Sequence, residues 1–294
     1  MELIKVGKVK EVYSIDSETL LFHFTDNISV FDKIIPSKIP HKGESLCRTS
    51  AHWFEIVGSM GIKTHFIKLD GNNRMVVKRF QILNKGLKDG SNFLIPLEFI
   101  TRYYVAGSLY DRIREGKIKA ADLGLKKINY GEPLPEPFFE ITTKFEKYDR
   151  NLDFEEAMEI GGISRGEIDE IREKILKIDE RINRDVYSRG LIHVDGKKEW
   201  AMDRERDPVL VDTFGTADED RFWDAREYEN GNFVELSKEF VRKYYREIGY
   251  HEKLMKAREN GLPEPDIPPL PPEMVEKVSK LYIELYEKIT GKKW

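Results

Sequence analysis

The sequence predicts an α+β protein with a strand-rich N-terminal part and a mixed second part. Two observations carry that prediction. Residues 1–105 break into short β-branched and aromatic runs separated by turn segments of five or six residues. Residues 106–294 combine two further strand runs with long stretches of helical periodicity. The expected division is a lobe of residues 1–105, a lobe of residues 106–294 and a cleft between them. A chain of 294 residues is long enough for one large or two ordinary domains, and 40% hydrophobic with 35% charged residues reads as globular.

In chain order, "KVKEVYSID", "LLFHFTD", "THFIKLD" and "RMVVKRFQIL" are strand candidates, with "SIDSE", "LDGNN" and "LKDGSN" as their turns. Between them "GESLCRTSAHWFEIVGSMG" reads as a helix stopped by glycine. The run "FLIPLEFITRYYVAGS" suits a central strand. Ser164 and Glu167 form a capping box, and Ile168, Ile171, Ile175, Ile178, Ile182 and Val186 recur at helical spacing up to the stop at Gly190. The strands "LIHVD" and "PVLVD" follow, joined by the turn "DRERD". Helical segments return near 233–248, a loop over 263–272 carries six of the 13 prolines, and "PEMVEKVSKLYIELYEKITG" closes the chain as a helix.

Charge and composition exclude several classes. The net charge of −4, from 49 basic and 53 acidic residues, gives no bulk attraction to nucleic acid or acidic membranes. A single cysteine, Cys47, forbids an internal disulfide, and the six histidines show no HxxxH pair. There is no apolar signal core at the N-terminus and no run of about 18 apolar residues. A cytoplasmic protein is expected.

Five charged constellations then stand out. In "VGKVKEVY", Gly7 permits close backbone approach, and Lys8 and Lys10 share a face of an extended strand, as a loop covering nucleotide phosphates requires. An ordinary solvated strand explains the octapeptide as well. In "FTDNISVFDKIIPSKIPHKG", Asp26, Ser29 and Asp32 punctuate an apolar run that also reads as a strand leaving a sheet through a polar turn. In "PLEFITRYYVAGS", Glu98 and Arg102 lie at even spacing, with Gly107 and Ser108 at the exit; Arg102 offers a planar fork to an anion, or pairs with Glu98. The polar segment "TTKFEKYDRNL" suits a loop. Finally, in "LIHVDGKKEW" the charges Asp195, Lys197 and Glu199 alternate, so they line one face of an extended strand. With Asp212 at the end of "PVLVD", Asp195 and Glu199 are placed to surround a hard cation, for which Mg²⁺ fits better than Ca²⁺ or Zn²⁺. Lys197 would stabilise charge on a transferring phosphoryl group. A solvated hairpin edge is the alternative.

Together these blocks resemble the SAICAR synthetase family. "GKVKEVY" looks like its phosphate-covering loop, "DNISVFD" like its Asp-x-Ile-Ser-x-Phe-Asp motif, and "LIPLEFITRYYVAGS" like its first signature. "TTKFEKYDRNL", "VDGKKEW" and "DEDRFWD" match further segments in the family's order, and the C-terminal helix is similar too. The resemblance implies the SAICAR synthetase-like α+β fold and an ATP-dependent ligase. ATP would phosphorylate the carboxylate of carboxyaminoimidazole ribotide (CAIR), and L-aspartate would attack the acyl phosphate. It implies that Lys8, Lys10 and Lys144 contact ATP, and that Glu199 and Asp212 hold Mg²⁺. Arg102, Ser108, Asp195, Lys197 and Arg221 would bind CAIR, with Lys197 and Asp195 catalytic. Ser29, Asp32, Asp149 and Asn151 are candidates for the aspartate end. Apart from Arg102, the metal and CAIR sites are expected in the 106–294 lobe, and a homo-oligomer follows from the family's habit.

The sequence departs from the family pattern at four places. Thr213 follows Asp212 where a second acid is usual, and Trp200-Ala201 replaces Phe-Gly. Asp220 stands for serine beside Arg221, where it would repel phosphate unless it points away, and Asn27 stands for arginine. Two other readings compete: a small-molecule kinase using the same Mg-ATP site, and a catalytically silent nucleotide-binding protein.

Overall fold

A computed structural model describes residues 1–146, 149–236 and 238–294. The first elements are β1 (Glu2–Val6), β2 (Lys10–Ser14), β3 (Thr19–Phe24), β4 (Asn27–Val30), β5 (Lys33–Lys38), α1 (Lys42–Ser59), β6 (Phe66–Leu69) and β7 (Arg74–Lys78). Then come β8 (Gln81–Ile82), β9 (Phe93–Leu94), β10 (Leu97–Tyr104), α2 (Gly107–Arg114), β11 (Pro133–Thr143), β12 (Asn151–Leu152), α3 (Phe154–Gly161) and α4 (Arg165–Tyr187). The last are β13 (Leu191–Met202), β14 (Pro208–Val211), β15 (Asp220–Asp224), α5 (Ala225–Glu229), α6 (Glu239–Glu247), α7 (Tyr250–Glu259) and α8 (Pro272–Thr290). Among the described residues no helix is long and apolar enough to cross a membrane.

These elements form two units. One comprises Met1–His52, Phe66–Lys78 and Glu235–Trp294; the other comprises Trp53–His65 and Arg79–Val234. Residues 105 and 106, where the sequence reading divides the chain, both lie in the second unit, and the C-terminal helices belong with the N-terminal sheet. The reason is long-range bonding within the first unit. Ser45 Oγ donates to the Tyr282 carbonyl at 2.7 Å, and the Leu270 N–H donates to Ser37 Oγ at 2.9 Å. No local pattern reports such pairs.

In the first unit, the described strands form an antiparallel sheet ordered β1-β2-β3-β7-β6, beside the separate hairpin β4–β5. Gly7 closes the first turn, where an added Cβ would sit 2.9 Å from the Lys10 carbonyl oxygen. The prolines of 263–272 lack N–H groups, but their carbonyls accept: Tyr245 donates to Pro268 at 2.6 Å and Tyr250 to Pro265 at 3.2 Å. Helix α8 buries Val278, Tyr282, Leu285 and Ile289 at helical spacing and ends at Gly291 with φ +72°.

The second unit is built on a larger sheet ordered β12-β11-β10-β13-β9-β8, with β14 and β15 also paired to β13. The predicted central strand is split: β9 and β10 flank Pro96, whose ring cannot donate to a ladder. Helix α4 starts at the expected capping box, Glu167 N–H to Ser164 Oγ at 3.2 Å and Ser164 N–H to Glu167 Oε2 at 2.6 Å. All six predicted apolar positions of α4 are buried, and each such side chain contributes roughly 1.5–3 kcal/mol. With them is buried Asp179, which the apolar pattern does not anticipate.

Candidate active site

Strand β13 positions the site because four strands, β9, β10, β14 and β15, pair along its length. Asp195 lies opposite Arg102 of β10 on one side and opposite Arg221 of β15 on the other. A register shift against β15 between His193 and Asp195 moves the strand by one residue there. Strict alternation would put those two side chains on one face. Instead His193 turns to Asn183 of α4 at 2.9 Å, and Asp195 joins the arginines.

A cationic cluster surrounds Asp195. Its Oδ2 accepts from Arg221 Nη1 at 2.8 Å and from Arg102 Nη1 at 3.3 Å. Arg102 also donates through Nε to Glu140 Oε2 at 2.6 Å and through Nη2 to Ser108 Oγ at 3.1 Å. Glu140 is held in turn by Arg112 and by Asn151 Nδ2 at 3.0 Å. Three guanidinium groups thus stand against two carboxylates, which leaves a net positive charge suited to an anion. Gly107, with φ +51°, is needed beside it: an added Cβ would fall 2.6 Å from Arg221 Nη2. The Glu98–Arg102 pair does not form, since residues four apart on one strand are separated by about 13 Å.

Further along the same face, Lys197 Nζ meets Glu98 at 2.7 Å, Glu219 at 3.3 Å and Glu199 at 3.4 Å. Burial alone would lower the Lys197 pKa, but Glu219, Glu199 and Glu98 together hold it well above the usual lysine value. Glu98 shifts upward because burial and Glu199 outweigh Lys197. Lys144 pairs with Glu199, and against the lowering by burial Glu199 and Asp212 raise its pKa. Asp212 itself adopts φ +61° at the end of β14.

The three-carboxylate cation site expected from Asp195, Glu199 and Asp212 does not assemble. Asp195 is taken by the two arginines, and among the described residues no three acidic, histidine or cysteine side chains are grouped to hold a metal. The register explains it: β14 pairs with Glu199 through Met202 only, so its end lies beyond reach of Asp195.

The opposite face of β13 is a buried polar layer. Lys198 pairs with Asp179, whose other oxygen accepts from Tyr103 OH at 3.0 Å. His193 Nε2 lies 2.7 Å from Asp220 Oδ2, and Asp220 Oδ1 accepts the Gly215 N–H at 2.9 Å. Asp220 therefore points away from the Arg221 side chain, which removes the repulsion its sequence position suggests. Gly196 makes room for this pair, since an added Cβ would lie 2.4 Å from Asp220 Oδ2.

A model of the SAICAR synthetase family matches residues 3–257. The chain belongs to that family. A phosphoribosylaminoimidazole-succinocarboxamide synthase of Thermoplasma volcanium is 63% identical, with 100% of each chain covered. A solved SAICAR synthetase in complex with ADP is 29% identical over 100% of this chain and 99% of its own, with TM-score 0.72. The SAICAR synthase of Saccharomyces cerevisiae complexed with SAICAR is 26% identical over 99% and 95%, with TM-score 0.78. This SAICAR synthetase family member is an ATP-dependent ligase of purine biosynthesis with the family's α+β fold.

Within that family frame, the structure brings together Arg102, Ser108, Asp195 and Arg221 as one cluster and Lys144, Lys197 and Glu199 as the next, all in the second unit. Asn151 joins the first through Glu140, whereas Asp149 is exposed. Lys147 and Tyr148 of the same segment lie outside the described residues. Lys8, Lys10, Ser29 and Asp32 belong to the first unit. There Lys8 pairs with Asp32 at 2.5 Å, Lys10 Nζ lies 4.2 Å from the Phe22 ring centroid, and Ser29 is buried. The sequence reading missed Glu140, Arg112 and Glu219. A charge inside the apolar run "PFFEITT" was a signal for Glu140; Arg112 and Glu219 sit in ordinary charged surroundings and gave none.

Proposed function

We propose that this chain joins L-aspartate to the carboxylate of CAIR, with ATP cleaved to ADP and phosphate, and releases SAICAR in de novo purine biosynthesis. The observation that carries the reading is the pair of clusters along one face of β13: a guanidinium-rich patch at Asp195 adjoining an ammonium–carboxylate patch at Lys197. The whole-length identity to a phosphoribosylaminoimidazole-succinocarboxamide synthase supports it, as do the ADP and SAICAR complexes of similar proteins.

Arg102, Arg221 and Ser108 bind the anionic parts of CAIR, with Asp195 fixing both guanidinium planes. A carboxylate oxygen of CAIR attacks the γ-phosphorus of ATP, and ADP leaves. The amine of aspartate then attacks the acyl carbon, loses a proton and expels phosphate. Lys197, kept protonated by its three carboxylates, faces the developing negative charge with a positive one. Lys144, Lys8 and Lys10 serve the ATP phosphates. Ser29, Asp32, Asp149 and Asn151 serve the aspartate end.

The donor set fits Mg²⁺. Glu98, Glu199, Glu219 and Asp212 exceed Lys144 and Lys197 in charge, and their ligands are hard oxygens. Mg²⁺ needs only one or two carboxylates when phosphates and waters complete its shell, so no all-protein cage is required. Glu199 and Asp212 would hold it, and it would neutralise phosphate charge when bound. The same reading has the protein working in the cytoplasm, in keeping with its single buried Cys47, and as a homo-oligomer, as the family's habit implies.

The test is ADP release with Mg-ATP, omitting CAIR and aspartate in turn. Turnover that needs both, with SAICAR as product, is the expected result. ADP formation independent of aspartate would refute the ligase and favour a kinase.

A further inference from the structure

We propose that Glu219 is a positioning residue for this reaction: it holds the Lys197 ammonium in place from a rigid loop, with the Thr213 hydroxyl steering its carboxylate. The proposal rests on the ligase reading above and adds to it a residue that the motif comparison leaves unassigned. One Glu219 oxygen lies 3.3 Å from Lys197 Nζ, and the other accepts from Thr213 Oγ1 at 3.5 Å. An ammonium has three donor protons. Here Glu98 of β10 and Glu199 of β13 accept two of them, and Glu219 of the β14–β15 loop adds an ion pair from a third direction. The four-carbon stem of lysine is flexible, so three carboxylates in different directions fix its tip where fewer would let it swing. Glu199 is also shared with Lys144. Among the described ion pairs, Lys197 is the one cation that Glu219 meets.

The loop that presents Glu219 is built to stay put. Phe214 is fully buried with its ring centroid 5.1 Å from that of Phe54. The Gly215 carbonyl accepts from Trp53 Nε1 at 3.0 Å, and its N–H donates to Asp220 Oδ1 at 2.9 Å. Gly215 has φ +65°, and an added Cβ would lie 2.5 Å from the Trp53 ring, so the indole packs directly on the backbone. The Asp220 N–H closes the loop on the Thr216 carbonyl at 2.9 Å. Such anchoring of a partly buried acid beside a functional lysine is what precise placement requires.

The experiment compares wild type, Glu219→Gln, and the double variant Glu219→Gln with Thr213→Glu, which returns a carboxylate from the residue now touching Glu219. Each is assayed for SAICAR formation with kcat and the KM for L-aspartate resolved separately, and each is melted. We expect Glu219→Gln to lower kcat by about tenfold or more, as when one of the carboxylates fixing a functional ammonium loses its charge, with the KM for aspartate held. The double variant should regain most of the lost kcat. Wild-type kcat in Glu219→Gln would overturn the proposal, as would a folded double variant without recovery. A Glu219→Gln chain that does not fold would make the residue structural and overturn it also. A wild-type chain that forms no SAICAR would refute the ligase reading first, so the two failures are distinguishable.

Discussion

Asp179→Leu is the substitution whose cost follows most directly from the structure. Asp179 lies on α4 and is fully buried; it accepts from the equally buried Lys198 ammonium and from the Tyr103 hydroxyl. Burial alone would lower the Lys198 pKa, but Asp179 and Asp220 raise it, so the lysine is charged in the native state. Leucine leaves that charge without its closest partner and the phenol without an acceptor. Breaking a buried ion pair from one side costs about 3–5 kcal/mol, and the orphaned hydroxyl pushes the value toward the upper end. The triple apolar replacement Asp179→Leu, Lys198→Met, Tyr103→Phe removes every stranded polar group and should recover most of the loss. Urea unfolding with an unchanged m-value is the assay. A single-variant cost below about 1 kcal/mol would show that the ammonium finds another partner or loses its proton, refuting the argument. A triple variant as unstable as the single would refute it differently, by assigning the cost to packing. The stakes are functional, because this layer pins the strand that carries Asp195, Lys197 and Glu199 on its other face.

Four further outcomes are expected. Glu199→Gln removes a carboxylate shared by Lys144 and Lys197 and should abolish Mg²⁺-dependent turnover while the circular dichroism spectrum stays native; normal turnover would exclude Glu199 from the metal. Arg102→Lys replaces contacts to Glu140, Asp195 and Ser108 with one point charge, and should raise the KM for CAIR by about tenfold or more. An unchanged CAIR requirement would take Arg102 out of the site. Gly196→Ala drives a Cβ against the His193–Asp220 pair and should cost about 1–3 kcal/mol by urea titration; a neutral effect would mean the pair moves freely. Burial pushes the Cys47 thiol up to about 12, so a disulfide reagent at pH 8 should label it only after unfolding. The sign is that of an acid kept neutral by folding. From about pH 9 to about 12 the unfolded state binds fewer protons, so this group erodes stability as pH rises. Rapid native labelling would contradict it.

Some of this was legible in the sequence and some was not. Helix α4 was legible to its cap and its six buried apolar positions, because helical spacing and a capping box are properties of neighbours in the chain. The acid–base–acid face of β13 was legible for the same reason, since an extended strand alternates its side chains. The order of the motifs likewise sufficed for the family. What a given charge would pair with was not legible. Glu98 meets Lys197 rather than Arg102, 99 residues away, and Arg102 meets Glu140 and Asp195, 38 and 93 residues away. Glu219 reached Lys197 only because a loop folded onto Trp53 and Phe54 carries it there. Nor did any local run reveal that residues 235–294 pack with the first sheet strands. Local sequence determined which side chains share a face. Strand register, the shift between His193 and Asp195, and long-range packing decided which of them touch, because those contacts depend on how distant segments align and not on the residues beside them.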